Sequence, residues 1–140
     1  MSRIFWDTNL YIYLLESYGP LSKRTIAIRK AMLSRGDELL TSTLTLGEAL
    51  VKPREQGQAE LAKRYEEAIR RTSTLIPFEE KAALVYSTLR RDRSLRVADA
   101  IQLSCAAAAG VDLFLTNDLR LAGKQVSGIQ FIVPLDRAPM

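Results

Sequence analysis

The chain has 140 residues, of which 47% are hydrophobic and 26% are charged, and its 20 lysines and arginines outnumber its 16 aspartates and glutamates. These proportions are typical of a folded globular protein and exclude a chain that is disordered throughout. The length suits a single domain spanning residues 1–140. The net charge of +4 favours an anionic partner such as nucleic acid without requiring one.

The chain contains no histidine and a single cysteine, Cys105. Without imidazole, Ser-His-Asp and Cys-His catalytic machinery is excluded, and zinc loses its usual nitrogen ligand. We expect Cys105 to be a buried small hydrophobic residue, since it has no partner for an internal disulfide. No apolar stretch reaches the ~20 residues of a membrane span, and acids interrupt the N-terminal segment, so we expect a cytoplasmic protein.

The spacing of apolar residues in the first half of the chain predicts short strands that alternate with helices. The predicted elements are a strand at Ile4–Trp6, a helix capped by Thr8 and Asn9 that carries Leu10 to Leu15, a helix after Gly19-Pro20 that ends near Gly36, a strand at Leu39–Thr41, and a helix carrying Leu46 to Val51 that stops before Pro53.

The second half of the chain continues this alternation. The predicted elements are a helix from about Gln58 to Arg71, a strand at Thr74–Phe78, a helix from Glu79 to about Arg91, an alanine-rich helix at Val97–Ala109 ended by Gly110, a strand at Asp112–Thr116, a short helix at Leu119–Gly123, and a strand at Gln130–Val133 before a polar tail. This order predicts an α/β fold, with a central parallel sheet of four or five short strands and helices on both faces.

Four acids differ from the rest because they lie at strand ends or in apolar segments. Asp7 and Asp118 follow predicted strands, and the carboxyl ends of parallel strands are where open α/β sheets bind ligands. Glu48 lies in an apolar helical segment, and Asp99 lies in the first turn of its helix. Each acid alone could be a cap, a turn residue or an exposed helical residue. Together they predict a shared site.

A shared site of four carboxylates requires positive charge. Two carboxylates ~4 Å apart repel by roughly 4 kcal/mol at an effective dielectric near 20. We expect no basic residue from the flanking sequence to neutralise Asp7, Glu48 or Asp118. A site built only from oxygen ligands favours Mg²⁺ or Mn²⁺, which can activate water and stabilise charge on a phosphoryl group. The acids therefore predict metal-assisted phosphoryl chemistry, with phosphodiester hydrolysis as its natural form.

Four motifs in order carry a family resemblance. They are Phe5–Asn9, Thr41–Glu48 with the following Leu50–Pro53, Arg96–Ala100, and Leu115–Leu121. These motifs resemble the PIN domain, and in particular the VapC-type toxin ribonucleases of prokaryotic toxin–antitoxin pairs. The resemblance covers nearly the whole chain and implies a PIN-like fold and a metal-dependent endoribonuclease.

The resemblance also implies roles for individual residues. Asp7, Glu48 and Asp99 would hold the main ion, and Asp118 would help a second ion or position water. Thr8, Asn9 and Thr116 would assist, with Thr116 and Asn9 orienting carboxylates or water, and Asn117 could share the role of Asp118. Arg90, Arg91, Arg93 and Arg96 are candidates for contacts to RNA phosphates, or else form a solvated helix end and loop. The implied partners are RNA, a cognate antitoxin and a second copy of the chain. Tyr11, Tyr13 and Tyr18 are candidates for the dimer surface, and core packing explains some of them equally well.

Two other functions fit the same residues. In a receiver-like or phosphatase-like domain, Asp7 would accept a phosphoryl group as nucleophile, and Lys124 would be the imperfect candidate for the lysine that such sites use. Alternatively, a PIN-like scaffold would bind RNA or protein without cutting. A metal-dependent cleavage assay separates these alternatives from a ribonuclease.

Overall fold

Five parallel strands form one sheet in the computed structural model, which describes residues 1–139. The strands are β1 (Arg3–Trp6), β2 (Glu38–Ser42), β3 (Thr74–Ile76), β4 (Val111–Thr116) and β5 (Ile129–Pro134). Their order across the sheet is β3-β2-β1-β4-β5, and every neighbouring pair is parallel. The chain runs outward from β1 to β3 and then crosses back to β4, so the direction of the connections reverses between β1 and β4. In open α/β sheets, ligands bind beside the carboxyl ends of the strands at this point.

Helices cover both faces of this sheet. Within the described residues the α-helices are α1 (Thr8–Leu15), α2 (Pro20–Arg35), α3 (Thr43–Glu55), α4 (Ala59–Thr72), α5 (Glu80–Leu89) and α6 (Val97–Ala109). Alternate residues of β1 point to opposite faces: Phe5 packs in a core cluster with α5 and α6, whereas Ile4 and Trp6 pack in a second cluster with α1 and α2. The predicted α/β architecture is confirmed.

Aromatic contacts hold the central strands together. Phe5 and Phe114 are neighbours in register on β1 and β4, and their rings stack with centroids 5.1 Å apart. On the opposite face, the Trp6 ring meets Tyr11 edge-on at 5.3 Å. Phe5 and Trp6 directly precede Asp7, and Phe114 lies two positions before Thr116 on β4. These contacts therefore fix the ends of β1 and β4 relative to each other.

Two predictions on individual residues are decided by burial. Cys105 is fully buried in α6, as predicted, and burial raises the pKa of its thiol to about 11. Tyr11 and Tyr13 are also buried within the chain, so the prediction that they form part of a dimer surface is wrong for both. Tyr18 is 43% exposed.

Several predicted element boundaries differ from the structure. The helix predicted to stop before Pro53 continues to Glu55, because a proline so close to the helix end disrupts little of the hydrogen-bond ladder. β3 ends at Ile76 rather than Phe78, where Pro77 can donate no ladder hydrogen bond. Asp7, rather than Thr8 or Asn9, is the N-cap of α1.

The segment after Asp118 forms turns, and the helix predicted at Leu119–Gly123 is absent from the described structure. The Asp118 carboxylate accepts a hydrogen bond from the backbone N–H of Arg120, a local bond that competes with helix formation. Only i to i+3 bonds follow, with Leu121 N–H donating to the Asp118 carbonyl, and Gly123 has a φ of 81°.

The prediction of a polar tail after the last strand is also wrong. A short 3₁₀ helix spans Leu135–Arg137, and Leu135 and Ala138 are buried in the core cluster on the α1 and α2 face. The Arg24 guanidinium of α2 donates to the carbonyl oxygens of both residues. None of the helices between residues 1 and 139 is long and apolar enough to cross a membrane.

Gly128 is expected to tolerate no side chain. Its φ is +99°, and a Cβ at this position would lie 2.5 Å from the carbonyl oxygen of Ala107 at the end of α6. We expect Gly128→Ala to lower the free energy of unfolding by about 2 kcal/mol, because neither backbone can move freely. Urea denaturation measures the change. Gly47→Ala is the matched control: Gly47 is helical with open space around it, so alanine should stabilise the chain by up to about 1 kcal/mol. Equal stability of both variants would contradict the prediction.

Candidate active site

Asp7 is fixed by the ends of two neighbouring strands. It follows β1 directly, and its backbone N–H donates to the Leu115 carbonyl of β4 at 3.0 Å. One carboxylate oxygen accepts from the Thr8 backbone N–H at 2.9 Å, and the other accepts from the Thr116 hydroxyl at 2.8 Å. The Asp7 side chain is therefore held in one orientation by Thr8 and Thr116.

An open cavity of about 390 Å³ lies beside these strand ends, and all four predicted acids line it. Asp7 comes from the end of β1, Glu48 from α3, Asp99 from the first turn of α6, and Asp118 from the turn after β4. Thr8, Asn9, Arg96 and Gln102 also line this cavity. Residues far apart in the sequence thus converge at the carboxyl edge of the sheet.

Burial makes the Asp7 carboxylate unfavourable as an anion. The residue is 9% exposed, and burial raises its pKa to about 6, against the lowering effect of the hydrogen bonds from Thr116 and Thr8. The negative charges of Asp99 and Glu48 raise this pKa further. The Asp7 end of the cavity therefore holds negative charge that its surroundings do not balance.

Two arginines balance the opposite end of the cavity. The Arg120 guanidinium donates two hydrogen bonds to the Asp118 carboxylate, and the one from Nε to Oδ1 is 2.9 Å long. Its Nη2 atom also lies 3.6 Å from the Asp99 carboxylate. Arg96 lies 3.4 Å from both Asp99 and Asp118. The hydrogen bond from Arg120 is the main cause that lowers the pKa of Asp118. The expectation that no flanking basic residue would neutralise Asp118 is therefore wrong, because Arg120 follows it by two positions.

The acids are not arranged as a finished metal site. Within residues 1–139 no three acidic side chains are close enough together to hold a metal as they stand. No ion pair in that part of the chain involves Asp7 or Glu48, whereas Asp99 and Asp118 are both paired. The charge in the cavity is thus asymmetric, with counter-charge at the Asp99 and Asp118 end alone.

Beneath the cavity lies a buried polar network that the sequence motifs do not predict. The Thr8 hydroxyl donates to Glu48 Oε1 at 2.6 Å and accepts from the Gln102 side-chain amide at 2.9 Å. The same amide nitrogen donates to Thr45 at 2.8 Å. A sequence signal was present: Gln102 follows Asp99 by three positions and Thr45 precedes Glu48 by three, so each shares a helix face with an acid.

Other residues with predicted roles lie away from the cavity. The Asn117 amide donates to the Tyr13 hydroxyl at 2.9 Å, so Asp118, rather than Asn117, faces the other acids. Arg90 donates to the Leu95 carbonyl at 2.6 Å, which ties the connection between α5 and α6 together. Arg91 and Arg93 are exposed on that connection and do not line the cavity.

Lys124 does not reach the acids either. Its ammonium group donates to Asp92 at 2.8 Å and to Ser94 at 3.0 Å. A lysine held there cannot serve a phosphoryl group on Asp7, which removes the residue on which the receiver-like alternative depended.

Comparison with known proteins identifies the fold. The family model of the PIN domain matches residues 4–125. No curated protein matches the chain in sequence.

Solved structures of toxin–antitoxin complexes share this fold. A chain of the DNA-bound VapBC complex from Salmonella typhimurium is 18% identical with a TM-score of 0.75, and the match covers 96% of this chain and 99% of that one. A chain of VapBC2 from Rickettsia felis, bound to a promoter DNA fragment, is 15% identical with a TM-score of 0.74, and the match covers 94% of this chain and 98% of that one. A chain of a toxin–antitoxin complex from Klebsiella pneumoniae is 23% identical with a TM-score of 0.65, and the match covers 90% of this chain and 94% of that one. At these identities the likeness establishes the fold alone.

Proposed function

The chain belongs to the PIN domain family, and on that premise we propose that it is a cytoplasmic endoribonuclease that depends on Mg²⁺ or Mn²⁺. The observation that carries the proposal is the cavity lined by Asp7, Glu48, Asp99 and Asp118, in which buried Asp7 has a raised pKa and no ion pair among residues 1–139. Carboxylates in this situation require either protons or a cation.

The residues present fit a hard divalent ion. The uncompensated end of the cavity offers carboxylate oxygens and hydroxyls, which Mg²⁺ and Mn²⁺ prefer, and no imidazole or thiolate lines it. Asp7, Glu48 and Asp99, which all line this cavity, would hold the ion. Asp118, which Arg120 already grips, would position water or assist a second ion.

The proposed reaction is hydrolysis of an RNA phosphodiester bond. When bound, the metal supplies a water of lowered pKa and positive charge beside the phosphoryl oxygens. Thr116 and the Thr8 backbone N–H keep Asp7 in one orientation, and the Thr8 hydroxyl does the same for Glu48. Arg96 and Arg120, 68% and 51% exposed in their side chains, are available to bind phosphates of the RNA strand.

The proposal extends to the partners of the chain. The similar structures are named as toxin–antitoxin complexes, and we infer by extension that this chain is the toxin of such a pair. A cognate antitoxin and a homodimer belong to the same proposal. Light scattering on the purified chain measures the dimer, and co-purification with the product of a small neighbouring reading frame tests the antitoxin.

Metal removal tests the function. We expect labelled RNA to be cut in Mg²⁺ or Mn²⁺ and to stay intact in EDTA. Glu48→Gln should reduce cleavage about 30-fold, because the amide keeps the hydrogen bond from Thr8 but loses the charge that binds metal. Glu67→Gln, an exposed helical glutamate outside the cavity, is the matched control and should cut normally. Metal binding without cleavage of any RNA would instead support the non-cutting scaffold.

A further inference from the structure

Gln102 is a buried amide in a helix whose other buried residues are mostly small and apolar. It is 2% exposed, and its neighbours in α6 include Leu103, Cys105 and Ala106, all fully buried. Burying an amide is unfavourable unless its polar atoms are paired. Each polar atom of the Gln102 side chain has a partner: the oxygen accepts from the Ser42 hydroxyl, and the nitrogen donates to Thr8 and Thr45. The side chain is therefore fully committed to a polar network.

The direction of these hydrogen bonds is fixed by the Glu48 carboxylate. An ionised carboxylate only accepts, so the single proton of the Thr8 hydroxyl is directed to Glu48 Oε1, 2.6 Å away. The Thr8 oxygen must then accept from its other neighbour, which requires the amide nitrogen of Gln102, rather than the amide oxygen, to face it. The amide oxygen consequently faces Ser42, which donates to it.

A second path reaches the same hydroxyl. Thr45 accepts from Gln102 at 2.8 Å and lies 3.1 Å from the Thr8 oxygen. Thr45 is fully buried and is 2.8 Å from the hydroxyl of Thr41 on β2. The network thus connects the end of β2, α3 and α6 to one hydroxyl at the cavity wall.

We propose that Gln102 is a positioning residue that, through the Thr8 hydroxyl, holds the Glu48 carboxylate in the orientation needed for metal binding. This inference rests on the proposed function. Glu48 is exposed and on a helix, so its long side chain has several rotamers available, and the hydrogen bond from Thr8 selects one of them. Because the Gln102 amide donates to the Thr8 oxygen, the proton of the Thr8 hydroxyl points away from the amide and is available to Glu48. Ser42 in turn keeps the amide from turning over.

A double-variant cycle on Mn²⁺ affinity tests this role without relying on cleavage. Isothermal titration with Mn²⁺ compares the wild type, Gln102→Met, Thr8→Val and the double variant. Gln102→Met should weaken Mn²⁺ binding roughly tenfold, since groups that orient metal ligands typically contribute at least this much. If Gln102 acts through Thr8, the double variant should bind Mn²⁺ no more weakly than Thr8→Val alone. Multiplied effects, or wild-type affinity of Gln102→Met, would overturn the inference.

The matched control is Ser104→Ala, two positions along the same helix. Ser104 is fully buried and donates to the Ala100 carbonyl, outside the network. Any general softening of α6 would affect both variants, whereas the proposed role affects Gln102→Met alone. Thermal unfolding in EDTA shows that each variant is folded.

A milder variant keeps the inference testable if Gln102→Met does not fold. Ser42→Ala removes a single hydroxyl and frees the amide to turn over, which should weaken Mn²⁺ binding about threefold. Unchanged affinity in Ser42→Ala would then overturn the inference. The failure of the proposed function looks different: the wild type itself would bind no Mn²⁺ and cut no RNA.

Discussion

Asp7→Asn is expected to reduce metal-dependent RNA cleavage about 1,000-fold, while making the metal-free protein more stable at neutral pH. Asparagine has the shape of aspartate and can still accept the hydrogen bond from the Thr8 backbone N–H. It carries no charge, so it cannot bind a divalent ion strongly, but it also avoids the cost of an unbalanced buried anion. Loss of activity and gain of stability should therefore occur in the same variant.

The stability difference should depend on pH. The pKa of Asp7 is about 6 in the folded chain against 3.8 for the ordinary carboxyl group, so the folded state binds this proton more tightly. The contribution of Asp7 to the free energy of unfolding therefore falls as pH rises from about 4 to above 6, by roughly 3 kcal/mol at most. Asp7→Asn lacks this dependence, so its free energy of unfolding should exceed that of the wild type above pH 6 and equal it below pH 4.

Urea denaturation in EDTA measures the difference in stability at pH 4 and at pH 7.5, and a cleavage assay measures the activity. Asp136→Asn, an exposed acid of the 3₁₀ helix, is the control and should change neither property. A variant that is less stable than the wild type at pH 7.5, or that cuts RNA at more than a tenth of the wild-type rate, contradicts the account of Asp7.

Removing both arginines of the cavity, Arg96→Ala with Arg120→Ala, should tighten Mn²⁺ binding about tenfold and yet reduce cleavage at limiting RNA about 100-fold. The two guanidinium groups lie within 3.6 Å of Asp99, so their positive charge opposes a cation there. They are also the exposed cationic groups nearest the acids, and charged hydrogen bonds to phosphate contribute roughly 1.5–3 kcal/mol each. Metal affinity and RNA affinity should thus change in opposite directions.

Calorimetry with Mn²⁺ and RNA binding over a range of salt concentrations separate these effects. Loss of two phosphate contacts on single-stranded RNA should lower the slope of log affinity against log salt by about 1.4. The control is the arginine pair Arg70 and Arg71 of α4, replaced together by alanine, because both are exposed and lie outside the cavity. If the cavity variant loses metal affinity, the arginines support the site rather than oppose the cation.

The sequence predicts those parts of the site that depend on strand ends and helix faces. Asp7 and Asp118 could be assigned because an acid that follows a buried strand lies at the carboxyl edge of the sheet, where ligands bind. Glu48 could be assigned because an acidic residue in an apolar segment is unusual unless it has a partner or a function. The parallel sheet followed from apolar runs too short for helices. These features depend on local pattern alone, and the structure brings the four acids to one cavity.

The parts that could not be predicted depend on contacts between distant segments or on competing local bonds. Arg120 pairs with Asp118 across a turn, whereas the sequence pattern predicts a helix at Leu119–Gly123. The role of Gln102 depends on its partners Ser42 and Thr8, which lie 60 and 94 positions away in the sequence. The C-terminal segment was expected to be polar, but Leu135 packs against residues from the start of the chain.

The order of the strands also has a consequence for the time at which the site forms during synthesis. Asp7 and the Thr116 hydroxyl that orients it are 109 positions apart, and β1 is the central strand with β4 as its neighbour. At about 5–20 residues per second, a ribosome needs roughly 5–20 s to reach Thr116 after it has made Asp7. Throughout that interval the emerging chain carries Asp7 without the Thr116 hydroxyl that orients it. The proposed metal site therefore cannot be completed until almost the whole chain has been made.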